Sequence, residues 1–124
     1  MKSFNALLIS VLISIASLNG FCQNFDFLMK DEPVKNELII FSATWCGPCK
    51  VMKRDMFERP TKKMVELLDN YEITLYDLDM SRELARQYRV SSVPTLIVKE
   101  DDVEINRTVG YSSNRIYSFL DSNK

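Results

Sequence analysis

A chain of 124 residues holds one domain at most, and 46% hydrophobic with 27% charged residues is an ordinary balance for a globular protein. Its 16 basic and 17 acidic residues give a formal charge of −1, which offers no electrostatic footing for nucleic acid or an anionic membrane surface as partner. The absence of histidine leaves few side chains for a metal site.

In chain order, Lys2 is followed by "FNALLISVLISIASLNG", uncharged from Ala6 to Leu18, and then by Gly20, Phe21, Cys22 and Gln23. A positive start, an apolar stretch and small residues at Gly20 and Cys22 predict a signal peptide over residues 1–22, with cleavage before Gln23. The stretch is short of the roughly 20 apolar residues of a spanning helix and is flanked by Asn5 and Asn19, which argues against a permanent anchor. Phe21 directly before Cys22 argues against a lipid anchor, since a lipoprotein signal places a small residue there. The expected product is an exported domain, residues 23–124, in the periplasm or outside the cell. Cys22 leaves with the leader, so Cys46 and Cys49 remain in an oxidising compartment.

Phe25, Phe27 and Leu28 allow a helical turn. "LIIFSA", Leu38 to Ala43, is a continuous apolar run and predicts a strand buried on both faces. From Gly47, Val51, Met52, Met56 and Phe57 recur at near-helical spacing; Pro60 interrupts, and Met64, Val65, Leu67 and Leu68 continue in a second helix. A second strand is expected over Glu72 to Asp79, a short helix capped by Ser81 after it, and a third strand over Thr95 to Val98. Asp101 and Asp102 supply a turn into the alternating edge strand "VEINRTV". Gly110 breaks that strand, and Ile116, Phe119 and Leu120 line one face of a last helix capped by Ser112 or Ser113. This order implies an α/β fold, a central mixed sheet with helices on both faces.

The sequence "SATWCGPCK" puts Cys46 where a buried strand ends and a helix begins. Free N–H groups and the positive end of the helix dipole there favour a thiolate, the form that attacks disulfides. Gly47 and Pro48 suit the first turn. Cys49, one turn on, can reach a mixed disulfide on Cys46 and expel the partner thiol. Two competing readings of the pair are less economical. Tetrahedral zinc wants four ligands, and only two cysteines remain. A structural disulfide that encloses two residues restricts the unfolded chain little.

"WCGPCK" after a hydrophobic strand, together with "VSSVPTLIV" 44 to 52 positions beyond Cys46, resembles the thioredoxin family over nearly the whole of residues 23–124. The resemblance implies the thioredoxin fold, no cofactor, Cys46 as exposed nucleophile and Cys49 as buried resolving cysteine. It implies that Trp45 shields the site, that Pro94 is a cis-proline facing the cysteines, and that the Val93 backbone pairs with bound substrate. Gly47, Pro48, Thr95 and Gly110 complete the implied substrate groove.

Two departures stand out. In thioredoxins proper a buried aspartate lies six positions before the first cysteine, paired with a lysine on the next strand; here the positions are Ile40 and Leu75, both apolar. Either charge alone would be buried unpaired. Asp77 then becomes a candidate for proton transfer from Cys49, while Asp79 is a candidate for the same role or for bonding the Trp45 indole. The helix interrupted at Pro60 is similar to exported thioredoxin-like proteins and to the C-terminal domain of the transmembrane thiol reductase that feeds electrons to the periplasm. The expectation is an exported, monomeric thiol:disulfide oxidoreductase that reduces oxidised protein thiols with electrons from a membrane thiol reductase. The alternatives are an oxidant or isomerase of the same fold, or a binding module whose groove holds a partner over a static disulfide.

Overall fold

The computed structural model describes residues 35–124; the expected signal peptide and the turn at residues 25–28 lie outside them. Strand β1 (Asn36–Ser42) leads into helix α1 (Gly47–Lys53), which continues as a π-helical turn (Arg54–Glu58). Helix α2 (Lys62–Leu68), strand β2 (Tyr71–Asp77), helix α3 (Arg82–Gln87), strands β3 (Thr95–Glu100) and β4 (Val103–Val109), and helix α4 (Ser113–Ser122) follow. Among the described residues the sheet order is β2-β1-β3-β4, with β2 parallel to β1 and both β1–β3 and β3–β4 antiparallel. This is the thioredoxin fold, with its mixed sheet and flanking helices.

The apolar run of β1 is continuous because its two faces meet different cores. Leu38 and Ile40, with Leu96 and Val98 of β3, pack on Met52, Met56, Met64 and α4. Ile39 and Phe41, with Ile97, face Ala85 of α3, and the Tyr76 ring stacks on Phe41 at 5.5 Å. Tyr71 closes the first core by donating its hydroxyl to the Leu120 carbonyl at 2.6 Å.

Several local expectations need correction. The α-helical pattern after the cysteines stops at Lys53; the chain then widens to i→i+5 bonding, with Arg59 N donating to Arg54 O at 2.8 Å. β2 begins at Tyr71 and ends at Asp77, where Asp77 Oδ1 accepts from Asp79 N and turns the chain. Ser81 and Ser112 occupy the expected cap positions without side-chain capping bonds. Thr61 does cap α2, accepting from Met64 N at 3.2 Å. Asp101 and Asp102 both have positive φ, +47° and +65°, the two-residue hairpin geometry that matches strand twist. A bulge at Val98/Lys99 interrupts the simple alternation expected of β4.

Candidate functional site

The site stands at the end of β1. Cys46 N donates back to the Ala43 carbonyl at 3.3 Å, so the chain turns sharply and starts α1 at Gly47. Cys46 keeps extended dihedrals as the residue before the helix, and its sulfur accepts from Cys49 N at 3.2 Å. Pro48, in the first turn, removes an N–H that would have no helical partner. Cys46 and Cys49 are joined in a disulfide with Cα atoms 5.3 Å apart. Ala43, Leu78 and Val93 pack around it, of which Ala43 and Leu78 carried no signal in the motif.

The Cys46 sulfur lies 3.6 Å from the Val93 carbonyl, and the Val93–Pro94 peptide is cis. The sequence implied an exposed Cys46. In the disulfide state it is only 5% exposed against 0% for Cys49, because a loop 47 residues along the chain leans over it. Trp45 beside it is 65% exposed, and its indole donates to Asp79 Oδ2 at 2.8 Å.

Gly110 N donates to the Pro94 carbonyl at 2.7 Å, which brings the end of β4 to the same place. Gly110 has φ +80°. A Cβ at Gly47 would meet nothing within 4 Å, and the φ there is not positive, so its backbone does not require glycine. Thr95 is buried, and its hydroxyl donates to the Ser92 carbonyl at 2.7 Å, which braces the loop and leaves only its backbone for a partner. The fold thus gathers Trp45, Gly47, Pro48, Val93, Pro94 and Gly110 around the disulfide, with Thr95 beneath them.

Of the departures, Ile40 is fully buried, whereas its register partner Leu75 is 45% exposed. The burial argument therefore holds for Ile40 alone, since β2 is the last described strand on its side of the sheet. Asp77 is in register with Ser42 at the end of β1. Its Oδ1 is occupied by Asp79 N.

A further group went unnoticed in the sequence. Tyr111, next to Gly110, donates its hydroxyl to Asp55 Oδ2 at 2.9 Å, so the π-helical turn is tied to the groove wall. Burial, aided by Asp55, pushes the Tyr111 phenol up to about 12. Arg54 and then Tyr111, both hydrogen-bonded to Asp55, hold its carboxyl below the usual range. No spacing rule would have paired residues 56 positions apart.

The thioredoxin family model matches residues 18–122. The chain belongs to the thioredoxin family. It is similar to the thioredoxin of Mycobacterium tuberculosis, 38% identical over 85 residues that cover 68% of this chain and 67% of that protein. With the thioredoxin of Chlamydia trachomatis it shares 41% identity over 73 residues, 59% of this chain and 67% of that one. The X-ray structure of Fasciola hepatica thioredoxin superposes with a TM-score of 0.64 at 21% identity, covering 83% of this chain and 94% of that chain, a likeness of fold. A thioredoxin-family chain with an intact Cys46–Cys49 pair is a dithiol–disulfide oxidoreductase.

Proposed function

We propose that this thioredoxin-family protein works outside the cytoplasm as a monomeric reductant of oxidised protein thiols, resupplied by a membrane thiol reductase. The observation that carries the chemistry is the Cys46–Cys49 disulfide, seated at the start of α1 with the Cys46 sulfur 3.6 Å from the Val93 carbonyl. The leader-like residues 1–22 support export.

In the forward direction the Cys46 thiolate attacks one sulfur of a substrate disulfide. That S–S bond breaks, and the first substrate sulfur leaves as a thiolate that takes a proton. The Cys49 thiolate then attacks the Cys46 sulfur, forming Cys46–Cys49 and releasing the second substrate thiolate. The substrate gains two electrons and two protons, and the protein is left in the disulfide state of the structure. A membrane dithiol returns the electrons by the reverse exchange. Trp45, Gly47, Pro48, Gly110 and the backbone of Val93, Pro94 and Thr95 form the surface on which a substrate strand lies.

The Gly-Pro between the cysteines supports the reducing direction: reducing members of the fold sit near about −270 mV, and strong oxidants near about −120 mV. The test has two parts. The full chain carrying a C-terminal tag is expressed in a host with an envelope, and its location and leader cleavage are read by fractionation and mass spectrometry; retention in the cytoplasm with an intact leader overturns export. The reduction potential of the purified protein is then followed through Trp45 fluorescence. A value below about −230 mV supports a reductant, and one above about −180 mV makes it an oxidant or isomerase. The lack of a reversible couple would leave a binding module.

A further inference from the structure

Ser42 ends β1 and is 1% exposed, and its hydroxyl is the single buried side-chain polar atom among the described residues with no hydrogen-bond partner. Buried hydroxyls are nearly always paired, because burial without a partner loses the hydrogen bonds of water. Of the other residues at this parity, Leu38 and Ile40 are buried and apolar, and Asn36 at the far end donates to the Asn123 carbonyl at 2.8 Å, so Ser42 alone is polar, buried and unpartnered. A hydroxyl retained there calls for another state of the protein in which it is bonded.

The packing indicates the partner. Leu38, Ile40 and Ser42 lie two residues apart on one face of β1. Met52 and Met56 pack on that face, at three and seven positions beyond Cys49, and so share one side of the helical segment with it. The segment leaves the end of β1 and returns over the strand, so the order Met56, Met52, Cys49 follows the order Leu38, Ile40, Ser42. Cys49 packs on Ala43, the residue after Ser42, which fixes the same end.

We propose that in the reduced protein the Ser42 hydroxyl donates a hydrogen bond to the Cys49 thiolate and thereby sets its ionisation for the resolving step. In the disulfide the Cys49 sulfur is held by its bond to Cys46, and the Ser42 hydroxyl bonds neither it nor any other group. Reduction breaks that S–S bond and frees the Cys49 sulfur to turn towards Ser42, and a thiolate there is a charged acceptor, whose hydrogen bonds are about twice as strong as neutral ones. The hydroxyl would do this where Ile40 and Leu75 leave no charged pair. In the resolving step Cys49 loses its proton, its thiolate attacks Cys46 of the mixed disulfide, and the expelled substrate thiolate takes up a proton.

Charged groups near this end are few. From β2, Asp77 is in register with Ser42 and accepts from Asp79 N, while Asp79 holds Trp45. From α1 come Lys50, exposed, and Lys53. The loop before β3 contributes uncharged Val93, and Tyr111 beyond β4 is bonded to Asp55.

The role rests on the dithiol exchange above, and one experiment separates the two. Reduced full-length protein is mixed with dithiobis(nitrobenzoate) in a stopped-flow instrument across pH. The first release of nitrothiobenzoate reports attack by Cys46, and the second reports resolution by Cys49. In Ser42→Ala the second phase is expected to slow about tenfold near neutral pH and its midpoint to rise by about one pH unit, which is the same energy. The first phase stays at the wild-type rate, and Ser42→Thr restores the second. An unshifted second phase in Ser42→Ala, or a shift in Asp77→Asn alone, overturns the Ser42 role. Loss of both phases in the wild type overturns the exchange itself. Should Ser42→Ala not fold, Ser42→Thr against Ser42→Val, equal in shape and differing in the hydroxyl, decides the same question.

Discussion

The Trp45 indole donates to the Asp79 carboxylate at 2.8 Å, a bond that spans 34 residues and fixes the exposed ring beside Cys46. Asp79 Oδ1 also lies 3.7 Å from Arg82 at the start of α3, so the carboxylate is itself held. In Asp79→Ala the ring loses its tether, and KM for a protein disulfide such as insulin is expected to rise severalfold while kcat changes less. The stability loss is expected at about 1 kcal/mol or less, because the bond is exposed. Asp79→Asn, which keeps an acceptor oxygen, should retain most of the activity; equal defects in both variants would mean that the ring's position does not matter.

The two cysteines are expected to fail differently. Cys46→Ser removes the nucleophile, and turnover should fall on the order of a thousandfold or more. Cys49→Ser leaves Cys46 able to attack but unable to be released, so the protein accumulates as mixed disulfides with substrate, visible on non-reducing gels and reversed by dithiothreitol. A Cys49→Ser protein that turns over normally would show that an outside thiol resolves the intermediate.

Much of this architecture can be read from local sequence. The run from Leu38 to Phe41 is apolar at every position because β1 is central, and the Asp101–Asp102 pair marks the β3–β4 hairpin directly. The cysteine motif fixes the site, since strand end and helix start are both local features. What could not be read depends on distant parts of the chain. Cys46 is covered because residues near position 93 lean over it, and Leu75 is exposed because of where β2 falls in the sheet. The π-helical turn arises in a segment with ordinary helical composition, and its Asp55 meets Tyr111 only after the fold is formed. The run "LIIFSA" reads as apolar throughout, and the lack of a partner for the Ser42 hydroxyl within it is a property of the packed core.

Gly110 holds φ +80°, a left-handed conformation that disfavours any side chain. A Cβ there would meet nothing nearer than Arg115 Nη1 at 3.9 Å, so space is not the obstacle. Gly110→Ala is expected to cost about 1–2 kcal/mol by denaturant unfolding, through backbone strain alone. Gly110→Val adds bulk to the groove wall bonded to Pro94, and should lower kcat/KM for protein substrates more than for a small disulfide. Equal losses on both substrates would place Gly110 outside the groove.

Two tyrosines make the fold sensitive to alkali. Burial, with Asp121 nearby, pushes Tyr71 up to about 12, and Tyr111 is likewise raised to about 12. Their unfolded value is near 10, so the folded state favours the neutral phenol. The stabilisation is complete below pH 10 and is lost as pH rises from 10 through about 12. Unfolding free energy measured with urea should therefore fall across that window. Tyr111→Phe should flatten the fall, although it also removes the bond to Asp55 and lowers stability at neutral pH. An unchanged alkaline slope in Tyr71→Phe and Tyr111→Phe together would show that other groups control it.

Ile40 and Leu75 are neighbours in register on β1 and β2, one fully buried and the other 45% exposed. This asymmetry makes the pair's response to charge unequal. Ile40→Asp places a carboxylate among Leu38, Met52 and Leu96 without a counter-ion, and is expected to destabilise by about 3–5 kcal/mol, less where the group takes up a proton. Leu75→Lys stays at the rim, where a long stem can carry its ammonium to water, and should change stability by about 0.5 kcal/mol or less. In the double variant the introduced ammonium can lean over the edge towards the introduced carboxylate, and a coupling of about 1–2 kcal/mol is expected in a urea double-mutant cycle. Additive losses would mean that the edge position is too wet to supply a counter-charge, and that introducing the missing pair here requires a lysine at a more enclosed site.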